Sequence, residues 1–195
     1  MGGTFDPIHN GHVSVAASLL DLFDLDRILF VPAGRPWQKE GYSAAEDRWA
    51  MTVLAAATDP RFEASRMELD RKGPTYTVDT MAILRDFYGP EAELFFVAGI
   101  DAVLMLGTWH RAEGLAELAE VIAVPRPGYD REALRPGDGW PVIHLADVPE
   151  VDVSSTEIRR RVREGLSIDE LVPPAIAAYV AQRGLYLQAA AERSA

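Results

Sequence analysis

Short runs rich in β-branched and aromatic residues alternate with helix-period stripes along almost the whole chain. That alternation restricts the fold to a parallel sheet with helices on both faces, a Rossmann-like doubly wound α/β architecture. Val13, Ala16, Ala17, Leu19, Leu20 and Phe23 form one stripe of period 3.6, and residues 27–31 (RILFV) follow as a buried strand stopped by Pro32. Ser43 with Glu46 has the form of a capping box opening a helix to about Thr58, and residues 61–69 alternate as a third strand. Residues 77–88 read as a helix stopped by Gly89 and Pro90, and residues 93–98 (ELFFVA) as the clearest central strand, ending at Gly99. Beyond it the pattern gives a helix at 115–120, a strand at 121–124, a polar Gly/Pro-rich loop at 131–141 and a short last strand at 142–145. A second capping box, Ser154 with Glu157, opens a helix to about Glu164, and residues 174–183 form a C-terminal helix ended by Gly184. At 195 residues the expected organisation is one domain over residues 1–187, with a small helical C-terminal part from about 154 and a frayed tail at 188–195.

Into this frame the first residues place a glycine turn, two imidazoles and a helix start. In residues 2–12 (GGTFDPIHNGH), Gly2 and Gly3 let the backbone turn tightly and bring N–H groups close to an anion, and Thr4 adds a hydroxyl. His9 and His12 are three apart, so a helix starting near Asn10 carries both rings on one side, with Gly11 leaving room between them. A helix N-terminus with its unpaired N–H groups and positive dipole end stabilises phosphate oxygens, and two imidazoles add donors. Far along the chain, residues 151–159 (VDVSSTEIR) repeat the chemistry. Hydroxyls stand at a helix start, and Arg159 one turn on is able to reach the same anion bidentately.

Composition removes other classes. The chain has no cysteine, which excludes disulfides, thiol catalysis and thiolate metal sites and fits a reducing cytoplasm. No basic-then-apolar leader opens it, and no apolar run approaches the roughly eighteen residues of a membrane span. A formal charge of −11 repels long nucleic acid, whereas a small nucleotide needs only a local positive cleft. Arg35, Lys39, Arg126 and Arg159 lie in segments able to supply one.

The HxGH pattern of His9, Asn10, Gly11 and His12, together with Ser154, Ser155, Thr156 and Arg159 in the place of an ISSTxxR signature, resembles the nucleotidyltransferase superfamily. In detail it is similar to the bacterial nicotinate mononucleotide adenylyltransferases, over residues 2 to about 186. The resemblance implies transfer of the adenylyl group of ATP to nicotinate mononucleotide, giving deamido-NAD and pyrophosphate in NAD biosynthesis in the cytoplasm. It assigns catalysis to His9, His12 and Arg159, and ATP binding to Gly2, Gly3, Thr4, Phe5, Lys39, Ser154, Ser155 and Thr156. The GPTYT segment supplies Tyr76 and Thr77 as acceptor contacts. Asp101 for the ribose, Trp109 of TWHR for the pyridine ring and Arg126 of RPGY for a phosphate complete that set. Relatives carry His near Lys39, which departs from the pattern. Mg²⁺ enters with the triphosphate and needs no dedicated protein metal site; His110 and His144 are expected to be structural. No nucleic acid or membrane is an expected partner, and the oligomeric state, homo-oligomer included, stays open. So do another phosphate acceptor, such as nicotinamide mononucleotide or phosphopantetheine, and a non-catalytic nucleotide-binding module.

One element is out of place. In a doubly wound fold the phosphate turn follows the first strand, yet here it follows Met1 directly. Either that strand is cut to almost nothing or residues upstream of a misassigned start supply it. The expectation is the second, with Met1 internal to the natural chain, and the intact mass of the native N-terminus tests it.

Overall fold

The computed structural model describes residues 1–34, 42–125, 128, 134, 137, 139–148 and 151–187. Strands β1 (Gly2–Gly3), β2 (Ile28–Pro32) and β3 (Phe62–Ala64) pair in parallel in the order β1-β2-β3. Strands β4 (Phe95–Gly99), β5 (Glu120–Val124) and β6 (Ile143–Leu145) do the same in the order β4-β5-β6. Register is set by Gly2 opposite Val31, Ile28 opposite Phe62, Phe95 opposite Glu120 and Val121 opposite Ile143. The two sheets adjoin at β1 and β4: a Cβ on Gly2 would stand 3.6 Å from the Phe96 ring.

Helices α1 (Asn10–Leu22), α2 (Ala45–Ala56), α5 (Ser155–Arg163) and α6 (Pro174–Arg183) share a core with β2 and the central strands. Leu19, Leu20, Phe30, Met51, Ile122, Ile158 and Ile176 are sealed within it. Each such side chain stabilises the fold by roughly 1.5–3 kcal/mol through loss of apolar contact with water. Helix α3 (Thr77–Tyr88) packs a second core with the 3₁₀ turns Leu106–Thr108 and Ala112–Glu117, through Val78, Met81, Leu106 and Leu115. Helices thus cover both faces of a parallel α/β framework, as the alternation predicts. Helix α4 (Ile100–Val103) is a single turn directly after β4.

Most bounds agree with the sequence patterns, and the departures have physical reasons. The third strand is three residues rather than nine. The N–H of Ser65 still pairs with Phe30 O, but Arg66 then leaves the ladder to pair with Glu46 and Asp70. Ser43 does not cap α2; Ala44 stands at the cap, and the Ser43 N–H is held instead by Asp6 Oδ2 at 3.1 Å. The helix expected over 115–120 is a 3₁₀ turn at Ala112–Glu117. The first strand is present as two residues. The Met1 amine donates to Leu29 O at 2.8 Å, Val31 N–H to Met1 O and Ala33 N–H to Gly3 O. The frayed tail expected at 188–195, and most of the loop expected at 131–141, lie outside the described residues.

Candidate active site

The glycine turn leaves the carboxyl end of β1 and runs into α1 through a loop that is itself buried. Phe5 is 2% exposed, and its backbone is left-handed (φ 52°), a conformation that costs a non-glycine residue about 1 kcal/mol or more. The cost is met by packing. The Phe5 ring stands edge-on to His12 at 5.2 Å and to Phe30 at 6.0 Å. Gly3 is required beside it, since a Cβ there would lie 2.7 Å from Phe5 Cε1.

His9 occupies the cap of α1, and the rings of His9 and His12 lie close, tilted by 32° with centroids 3.7 Å apart. His12 Nδ1 accepts the His9 backbone N–H at 3.2 Å. A neutral His12 ring therefore carries its proton on Nε2, which makes that nitrogen a donor. Gly11 leaves room beside the ring as the sequence suggests: a Cβ would sit 3.1 Å from His9 Nδ1, a tight contact.

Helix α5 docks its first turn onto this loop through main-chain carbonyls. Ser155 Oγ donates to Pro7 O at 2.9 Å and Arg159 Nη1 to Asp6 O at 2.7 Å, while Arg159 Nη2 reaches Thr156 Oγ1 at 3.3 Å. Ser154 is the cap, its Oγ accepting the Glu157 N–H at 3.2 Å, and its hydroxyl proton can still be donated. A cleft of about 710 Å³ results. Gly2, Gly3, Thr4, Phe5, His9, His12, Ser154, Ser155, Thr156 and Arg159 all line it, with the carboxyl ends of β4 and β5 forming its floor.

Beneath the cleft, Arg48 of α2 is fully buried and holds its surroundings together. It donates to Ser43 O, Thr4 O, Ala33 O and Gly34 O at 2.7–3.4 Å, so one guanidinium joins the loops after β1 and β2 to the start of α2. Burial lowers its pKa from the ordinary arginine value, and the Asp6 charge opposes that shift.

The residues expected to take the acceptor gather elsewhere, around α3 and the 3₁₀ turns. Tyr76 caps α3 and stacks on His110 with centroids 4.1 Å apart; Thr77 is the first helical residue. Trp109 meets Phe96 edge-on at 5.7 Å and packs against the second core. Asp101 lies in α4, two residues beyond Gly99, which does line the cleft. None of these four lines the cleft beside the histidines. His110, expected to be purely structural, is a ring partner of a candidate acceptor residue; His144 pairs with Glu120 at 2.5 Å on the second sheet. Lys39 and Arg126 lie outside the described residues.

Residues 1–161 match the cytidylyltransferase-like family. A probable nicotinate-nucleotide adenylyltransferase of Saccharopolyspora erythraea is 50% identical over 188 residues, 95% of this chain and 87% of that protein. One of Corynebacterium kroppenstedtii is 49% identical, covering 96% and 89%. The chain belongs to the nicotinate-nucleotide adenylyltransferase family. Among solved structures, the Plasmodium falciparum nicotinic acid mononucleotide adenylyltransferase complexed with NaAD superposes with a TM-score of 0.78. It is 21% identical and covers 95% of this chain and 94% of that one, so the likeness carries the fold.

Three cleft-associated residues of this family member escape the sequence reading: Asp6, Arg48 and Tyr186. Asp6 stands inside the glycine-histidine motif without a local signal for its role, and Arg48 reads in sequence as a polar face of α2. Apart from the Arg48 bond to Ser43 O five residues back, their partners lie from 14 to 180 residues away, beyond the reach of local patterning.

Proposed function

We propose that this protein transfers the adenylyl group of ATP to nicotinate mononucleotide, releasing pyrophosphate and forming deamido-NAD. The observation that supports this best is the docking of α5 onto the His9 loop. It brings two imidazoles, two helix N-termini, three hydroxyls and a guanidinium to one cleft at the carboxyl ends of the strands. In the reaction a phosphate oxygen of the acceptor forms a bond to the α-phosphorus of ATP while the bond from that phosphorus to the β-bridging oxygen breaks, and pyrophosphate leaves with the electron pair. The nucleophile is already an oxyanion, so no general base is needed, and catalysis rests on positioning and charge stabilisation.

His9 and His12 hold the α-phosphate and stabilise charge as it builds there. Thr4 and the Gly2 and Gly3 backbone contact the bridging region, Phe5 supports it, and Ser154, Ser155, Thr156 and Arg159 take the β- and γ-phosphates, with Lys39 as a further point charge. Tyr76, Thr77, Asp101, Trp109 and Arg126 receive the acceptor. The donors in the cleft suit phosphate oxygens, so Mg²⁺ belongs with the triphosphate, held by substrate oxygens and water, and supplies neutralisation of the leaving pyrophosphate. The reading assigns the enzyme to the cytoplasm, and among the described residues no helix is long and apolar enough to cross a membrane.

Acceptor-dependent release of pyrophosphate from ATP tests the proposal, with nicotinate mononucleotide, its amide and phosphopantetheine run side by side. Turnover should be fastest with the acid. A faster rate with another acceptor moves the assignment to that acceptor, and no release with any of them refutes it.

A further inference from the structure

We propose that Asp6 and Tyr186 are positioning residues of the phosphate cleft: the Tyr186 phenol holds the Asp6 carboxylate, and Asp6 in turn sets Arg159 and the loop that carries His9. The inference rests on the proposed ATP-binding role of this cleft.

Asp6 is 4% exposed, and three bonds converge on it from three parts of the fold. Tyr186 Oη donates to Oδ1 at 2.7 Å, the Ser43 N–H donates to Oδ2 at 3.1 Å, and Arg159 Nη1 donates to the main-chain oxygen at 2.7 Å. A buried carboxylate left without donors is costly, and one gripped by two has few orientations left to it. Its position therefore decides that of the carbonyl on the same residue, which anchors Arg159 Nη1. Asp6 also lies one residue from Phe5, whose left-handed backbone is held by packing.

Tyr186 is built for this contact. Its own backbone is left-handed (φ 65°), as is that of Gly184 two residues before it, so the chain turns back after α6. For tyrosine that conformation costs about 1 kcal/mol or more and persists only where other contacts over-determine it. Here those contacts are the bond to Asp6 and the approach of its hydroxyl to Met51 Sδ at 3.9 Å. Burial, and then the Asp6 charge, push the phenol well above its ordinary pKa, so it remains a donor throughout the working range. The bond runs between residues 180 apart, and nothing in the proposed chemistry requires it.

A control lies on α6 itself, seven residues before Tyr186. Tyr179 Oη donates to Asp47 Oδ1 at 2.8 Å, joined by Arg183 Nε at 3.0 Å. That is the same phenol-to-carboxylate bond, tying α6 to α2, with no onward bond to Arg159. The test compares Tyr186→Phe and Tyr179→Phe in the whole chain by steady-state kinetics, with ATP binding measured directly by calorimetry. Tyr186→Phe should lower kcat/KM for ATP at least tenfold and weaken ATP binding at least fivefold, with the acceptor KM within twofold of the parent. Tyr179→Phe should leave all three within twofold. The proposal is overturned if folded Tyr186→Phe keeps kcat/KM for ATP within twofold of the parent, or if Tyr179→Phe loses as much. Should Tyr186→Phe not fold, Asp6→Asn takes its place with the same tenfold expectation and the same overturning result. Because ATP binding needs no acceptor, a wrong acceptor assignment leaves this readout intact.

Discussion

Replacing Arg48 by Met should cost about 3–5 kcal/mol of folding stability, although methionine is apolar and the site is closed to water. The guanidinium supplies donors to four carbonyls, at Ser43, Thr4, Ala33 and Gly34. Only two of the four contacts are 3.1 Å or shorter, so a simple sum at the roughly 1.5–3 kcal/mol of a charged hydrogen bond gives about 3–6 kcal/mol for those two. Methionine restores apolar contact and removes the expense of burying a cation, which offsets part of that sum. It removes one of the two cations near Asp6 and leaves only Arg159, on the Asp6 main-chain oxygen; removing one partner of a buried charged pair costs up to about 3–5 kcal/mol. For a domain of this size the loss corresponds to a fall of roughly 6–20 °C in Tm. Urea unfolding of parent, Arg48→Met and Arg48→Lys measures it. Lysine keeps the charge without the planar fork, so it should recover only part of the loss. An Arg48→Met protein within about 1 kcal/mol of the parent, on the scale set by the buried-pair argument, would refute the reasoning.

Three further outcomes are expected. His12→Ala should slow adenylyl transfer by about 10²–10³ with little effect on Tm, as for other groups that stabilise developing charge; a rate within about tenfold of the parent contradicts the assigned role. Gly11→Ala places a Cβ 3.1 Å from His9 Nδ1, so the His9 ring must shift; kcat should fall by more than about tenfold, and unchanged kcat would separate that ring from catalysis. The third concerns pH and applies to protein made to start at Met1, whose amine is then free. Burial lowers the pKa of the Met1 amine to about 5, below its ordinary value of 8.0, so the folded state binds fewer protons than the unfolded one between those values. Stability contributed by this group therefore rises as pH increases from about 5 to 8, by up to about 4 kcal/mol at 1.36 kcal/mol per pKa unit. Unfolding of the 195-residue chain across that window reads the rise, and acetylation of the amine should flatten it; a slope unaffected by acetylation counts against it.

Local signals account for what the sequence discloses well. Helix α3 starts and stops at the expected residues because Gly89 adopts φ 83° at its end, and α6 lies between a proline start and a left-handed Gly184. The meeting of the two motifs in one cleft was foreseeable from their shared chemistry, but the means was not. Ser155 and Arg159 bind carbonyls of Pro7 and Asp6, groups that every residue carries and no pattern distinguishes. The false cap at Ser43 has the same origin: a Ser with Glu three residues on is a sound local signal, but Asp6 at a separation of 37 residues competes for the N–H and wins. Residues 61–69 mislead because alternation records which side chains are apolar, whereas the ladder stops at Ala64 opposite Phe30 and Arg66 turns to Glu46 and Asp70. The acceptor side is less legible still, since Tyr76, Asp101 and Trp109 come from separate turns whose mutual placement depends on the second core.

The bond between Tyr186 and Asp6 also fixes an order of events. The glycine loop leaves the ribosome ahead of the phenol that grips it, which is made 180 residues later. Until then the Asp6 carboxylate lacks one of its two donors, and the loop that would hold ATP is under-determined. The assembled cleft thus exists only once residue 186 has been made, and its closing contact, among the most distant in sequence, belongs to the slow, non-local class that forms late in folding.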